Sequence, residues 1–151
     1  MIAVEVKVSG VKELDEKLGR FRGKKPGLRI AKEVADDMVV NMRSLVPYWH
    51  GNLQKSIKVV PHENGYSINM NFYGRFVESG TAPHTVSINN YLFRAWALSK
   101  GIPWESLRKG VALRGTLPHP FIEPSVDASL YAFDRRAISV LNKTLKESGF
   151  R

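Results

Sequence analysis

Cysteine is missing from all 151 residues of the chain. Its absence removes disulfides and thiolate–metal sites, and nothing then favours an oxidising compartment. Long apolar runs are also missing: none approaches the roughly 20 residues that cross a bilayer. The opening MIAVEVKVSG carries Glu5 and Lys7 inside its apolar stretch, so it does not read as a signal peptide, and a cytoplasmic protein without membrane contact is the expectation. Acidic residues are scarce, with 14 Asp and Glu against 23 Lys and Arg and a net charge of +9. Such a balance raises the expectation of a polyanionic or acidic partner. Neither G-x-x-x-x-G-K-[ST] nor G-x-G-x-x-G occurs, and there is no G-x-S-x-G elbow, so phosphate-cradling and serine-nucleophile chemistry lose their usual signatures. The adjacent acids Asp36-Asp37 and Asp15-Glu16 fall on expected helices, where a solvated face explains them.

What is present suits one globular domain over residues 1–151, with 43% hydrophobic and 25% charged residues. Ile2, Val4, Val6 and Val8 alternate with polar positions, the pattern of a half-buried strand. Ser9 precedes a short capped helix ending at Gly19. Ala31, Val34, Ala35, Met38, Met42 and Leu45 recur at three- and four-residue steps, predicting a helix from Pro26 to Leu45 that Pro47 stops. Alternation resumes in SIKVV and YSINMNF, joined at Asn64-Gly65, which predicts a hairpin. YGRFVESG is expected to continue as a further strand or a bent connection. Two short helical stretches follow, around Leu92 to Ser99 and after Pro103. A final helix is expected from Pro124 to Ser148 on Val126, Leu130, Phe133, Ala137, Leu141 and Leu145. The fold class is α+β: an antiparallel sheet of about four strands, two long helices packed on it, and a helical arm inserted over residues 82–118.

One local recurrence stands out. GTAPH at Gly80–His84 returns as GTLPH at Gly115–His119. A metal site would need three or four ligands, and the four histidines, His50, His62, His84 and His119, are widely spaced with few carboxylates nearby. A true repeat would carry its hydrophobic pattern with it, yet the flanks of the two copies differ. Two local turns at the two ends of one inserted arm is the reading that remains. No metal or cofactor is expected.

Arg20, Arg22, Lys24, Lys25 and Arg29 form the one concentrated basic cluster, among Gly19, Gly23, Pro26 and Gly27. Residues 20–27 therefore read as a mobile basic loop and a candidate polyanion contact, and a nucleic-acid-binding module using this loop is the alternative functional reading. Aromatic and basic residues also interleave in YLFRAW and NFYGRF. Because Tyr66, Phe72, Leu92 and Trp96 fall on periodic apolar faces, most of these side chains are expected in the core rather than on a base-stacking surface.

Taken in order, the pieces resemble a family: the small tail-completion proteins of long-tailed bacteriophages and proviruses, described as minor tail, tail-terminator or head–tail joining proteins. The resemblance begins with a helix ending in proline and VPYWHGNLQKSI, including Gly51 and Leu53. It continues through YGRFVESGT, with Tyr73, Glu78, Gly80 and Thr81, and the Trp96–Gly101 segment. It ends with Gly115, Thr116, His119, Pro120, Phe121 and Pro124 before the C-terminal helix. His50 stands where the family usually has threonine or serine. The likeness implies a non-enzymatic virion protein, in the host cytoplasm before assembly. It implies a homo-oligomeric ring, commonly sixfold, at the head-proximal end of a tail. Its partners would be tail-tube and head-connector proteins, with DNA at most passing through the lumen. Phe121 is expected to be buried within its own subunit.

Overall fold

The computed structural model describes residues 11–150. The expected N-terminal strand at Ile2–Val8 lies outside that range. The chain is α+β and mostly helical. Helix α1 (Val11–Gly23) leads through two residues into the 20-residue α2 (Pro26–Leu45). Then come α3 (Asn52–Ser56), strands β1 (Lys58–His62) and β2 (Gly65–Asn69), and α4 (Gly74–Ser79). Helices α5 (Tyr91–Ser99), α6 (Trp104–Arg114), α7 (Ile122–Tyr131) and α8 (Phe133–Glu147) complete it.

Helix α2 is the central element and has the bounds that its periodicity predicts. Pro26 sits in its first turn, where a missing N–H costs nothing. Val46 turns extended at ψ 133° ahead of Pro47. Two apolar stripes run along it. Ala35, Val39 and Met42 are buried and continue into Val46. Val39, Met42 and Val46 form the core with Leu53, Ile57 and Phe121, while Ala31, Val34 and Met38 are only half-buried. Lys32 Nζ meets Asp36 at 2.6 Å on the wet side, the one-turn pairing that the sequence suggests.

Among the described residues the sheet has two strands, not four. The hairpin forms, but His62 pairs with Gly65, so Glu63 and Asn64 make its turn, one residue earlier than the Asn64-Gly65 reading. YGRFVESG is not a strand. Gly74–Ser79 is helix α4: Tyr73 and Val77 pack on the core, and a strand would turn Arg75 to that same face, whereas the helix leaves Arg75 exposed.

The final helix is divided at Ala132, whose ψ of −7° lies well off the helical value. Thus only one of the two expected long helices is continuous. Nor is the leucine stripe what meets α2. Ser125, Ser129, Val140, Thr144 and Ser148 are the buried positions, while Leu130 and Phe133 are 58% and 41% exposed. Small side chains let α7 and α8 approach α2 closely. Three of the hydroxyls bond the carbonyl one turn back: Ser125 to Phe121, Thr144 to Val140, and Ser148 to Thr144. Asn41 reaches Ser129 at 3.3 Å. Three of these four buried polar residues are therefore satisfied within their own helix and Ser129 by Asn41 of α2, and the neighbouring apolar stripe is left half-covered. The helix stops at Gly149 (φ 90°), with the Phe150 N–H returning to the Leu145 carbonyl.

Candidate functional site: a clasp at the base of an exposed arm

The two GT copies meet. Thr81 and Thr116 form an isolated antiparallel bridge. The Thr81 N–H donates to the Thr116 carbonyl at 3.1 Å, and the Thr116 N–H donates back at 3.2 Å. Their hydroxyls lie 3.0 Å apart, and the Thr81 hydroxyl also accepts from the Thr116 N–H at 3.1 Å. The two glycines explain the recurrence of the letters. Both take left-handed backbone, φ 69° at Gly80 and 74° at Gly115. A Cβ on Gly80 would strike the Thr116 carbonyl oxygen, and one on Gly115 the Thr81 carbonyl oxygen. Each glycine therefore makes room for the other copy's backbone.

The clasp continues on the C-terminal side. His119 N–H donates to the Val77 carbonyl at 2.7 Å. Glu78 Oε2 accepts from the N–H groups of Phe121 at 2.7 Å and Ile122 at 2.8 Å, and its Oε1 from Glu123 at 3.1 Å. These donors open α7, which has no local side-chain cap, so a carboxylate some 43 residues away in sequence caps it. Burial alone raises the Glu78 pKa. The three N–H donors outweigh that effect and hold the carboxyl below its ordinary value. Phe121 is fully buried, as expected, and anchors the clasp in the core.

The remaining family-motif residues have separate places. Gly51 precedes α3, and Leu53 on that helix is in the core beside Tyr73. Pro120 is exposed. Trp96 lies on α5, outside the clasp, and stacks on Phe93 with ring centroids 5.5 Å apart.

Between Thr81 and Thr116 the chain makes one excursion containing α5 and α6, which pack against each other. It departs after α4 and returns just ahead of α7, rather than leaving and rejoining the sheet. Asn90 caps α5 by accepting from the Phe93 N–H at 3.1 Å. Ala97, Val111 and Val86 are buried, Arg108 Nε holds the Val86 carbonyl at 3.3 Å, and Phe93 meets Trp104 edge-on. Five large apolar residues here remain exposed, Ile88, Tyr91, Leu92, Leu98 and Leu113, with Leu98 at 81%; Leu117, just past the clasp, is 88% exposed. Arg94, Lys100, Arg108, Lys109 and Arg114 accompany them, against Glu105 alone. Leu92 is thus at the surface and not in the core, as is Phe72 at 78%.

The basic cluster is not a loop. Arg20 and Arg22 belong to α1, which runs past Gly19, and Arg29 belongs to α2. Arg29 donates to Thr144 at 3.1 Å and Glu147 at 2.8 Å, and Lys24 approaches Glu147 at 3.6 Å. Two of the five cations are therefore engaged with α8. Lys25 takes φ 45° ahead of α2. Among the described residues no group of three or more His, Asp or Glu could hold a metal ion.

Sequence reading missed the Glu78 cap and the exposed arm leucines. The cap is a contact between distant segments and leaves no periodic trace. For the clasp a signal did exist: two copies of one strained glycine turn suit two chains passing at close range. Comparison of the chain with protein-family models, with curated proteins and with solved structures returned no match.

Proposed function

We propose that the chain is a structural virion subunit that completes the head-proximal end of a phage tail and joins it to the head connector. It would do so by assembling into a ring through heterologous contacts, in which one face of a subunit meets a different face of its neighbour. No covalent chemistry is required of it. The ordered motifs from VPYWHGNLQKSI to GTLPHPF support the reading, as does a net charge of +9. One observation carries it: a clasped, positively charged arm with five large apolar residues left in water. Isolated apolar residues at a surface need no explanation, but a self-contained excursion enriched in them is the form of a protein docking element.

The clasp makes a clean test possible. Because Thr81 and Thr116 already pair, residues 82–115 can be replaced by a two-residue Asn-Gly turn without separating α4 from α7. The armless chain should fold with its helical content otherwise preserved. In the phage or provirus that encodes it, particles should stop at separate filled heads and unjoined tails under electron microscopy. Intact, infective virions made with the armless chain would overturn the proposal.

A further inference from the structure

The exposed residues of the arm are ordered along α5. Tyr91, Arg94 and Leu98 recur at steps of three and four, so they share one face of the helix, and all three are exposed. Helix α5 contains no acid, and Lys100 follows it at the C-cap. On α6, by contrast, Arg108 is already held by Glu105 at 3.2 Å. The body carries the converse on α7. Glu123, Asp127 and Leu130 recur at steps of four and three, on the side of the helix opposite the buried Ser125 and Ser129. Tyr131 flanks them at the same surface. Residues 122–134 include Glu123, Asp127 and Asp134 but no Lys, Arg or His, in a chain of net charge +9. The acids of α2 are differently placed: Asp36 is engaged by Lys32, and Glu33 and Asp37 by Arg136. The outer face of α7 is thus acidic and apolar, where that of α5 is basic and apolar.

We propose that the arm of one copy docks on α7 of the next, with the Tyr91–Arg94–Leu98 face of α5 against Glu123, Asp127, Leu130 and Tyr131. This rests on the ring reading above and names the two dissimilar faces which that reading requires. The spacings match. From Leu98 back to Tyr91 the steps are four and three, and from Glu123 on to Leu130 they are again four and three, each stripe covering about 10.5 Å of helix. Laid antiparallel, as opposed helix dipoles favour, Arg94 meets Asp127 and Tyr91 meets Leu130 and Tyr131. Lys100, just beyond Leu98, then reaches Glu123. Both faces are exposed within one subunit, so the pairing is made between copies. Each copy that contributes an arm keeps its own α7 for another neighbour, and such a heterologous contact propagates until a ring closes. The apolar side chains supply the contact area, while the opposite charges select the partner and fix the register.

Paramagnetic relaxation enhancement between copies tests it. The chain has no cysteine, so Ser99→Cys, exposed beside the α5 stripe, takes a single nitroxide. When that chain is mixed with an isotope-labelled copy that carries no nitroxide, only contacts between copies relax the amides observed. At millimolar protein the strongest enhancement should fall on α7, from Glu123 to Tyr131. It should drop about fivefold when Arg94→Asp is placed on the nitroxide chain or Asp127→Arg on the observed chain. It should recover when both changes are present, because the pair is then restored with its signs exchanged. Unchanged α2 amide positions certify that each variant is folded. Enhancement centred on another surface, or none at millimolar protein, would overturn the proposal and leave the arm to a different protein. Enhancement on α7 that ignores both reversals would refute it too, as would a reversed pair that fails to recover. Because these measurements use the purified chain, their failure leaves the virion role to be judged by the armless chain in particles. Infective particles made with the armless chain would in turn leave the contact standing.

Discussion

Glu78→Gln probes the clasp through a single atom pair. In the wild type one carboxylate serves three backbone donors at the head of α7. Hydrogen bonds to a charged acceptor contribute about 1.5–3 kcal/mol, against about 0.5–1.5 for neutral pairs. A glutamine can keep its carbonyl oxygen on Phe121 and Ile122, but its amide then faces the Glu123 N–H, donor against donor. The variant loses one bond and the charge on the other two, together with the favourable placement of an anion at a helix N-terminus. Glu78 is half-buried, and the screening this allows reduces the sum to about 2 kcal/mol. For a chain of this size that is a fall in Tm of roughly 4–8 °C. Urea unfolding at pH 7 should show the deficit. The pH dependence has a definite sign. The folded-state pKa lies below the ordinary 4.5, so the carboxylate's contribution is fully present above about pH 4.5. It disappears as pH falls through the lowered folded value. Wild type and Glu78→Gln should therefore converge in strongly acidic urea melts and diverge towards neutrality. A variant within about 0.5 kcal/mol of wild type at pH 7 would refute the capping argument. So would a deficit of equal size at pH 3.

Two further outcomes follow from the same region. Gly80→Ala and Gly115→Ala each push a Cβ into the opposing backbone and should each cost more than about 2 kcal/mol in urea melts. Gly101→Ala, with φ 67° but open space around it, should cost only about 1–2 kcal/mol, the ordinary penalty of left-handed backbone; equal costs at all three sites would show that the close approach is immaterial. Phe121→Ala empties a fully buried position and should cost about 3–5 kcal/mol by calorimetry, a loss that no change of pH restores.

The local elements were the legible part of this chain. Helix α2 and its proline stop depend on residues within one or two turns, and their patterns survive in the linear order. Where two periods compete, the outcome was less readable. YGRFVESG offers Tyr73 and Val77 on one face at either spacing, and the helix is the form that packs both on the core while leaving Arg75 in water. On α7 and α8 hydrophobicity pointed to the leucines, but close approach to α2 selected the serine and threonine face, because small side chains with locally bonded hydroxyls can be buried at low cost.

By itself, then, the sequence determined the α+β composition, the long helix, the hairpin, and a glycine turn written twice. Only the tertiary structure decided that these turns pair with each other, that Glu78 caps a helix far along the chain, and that the basic cluster is partly bound to Glu147. Each of these joins residues distant in sequence at one point in space. Periodicity reports which face of an element is apolar, but not which other segment that face or its backbone will meet.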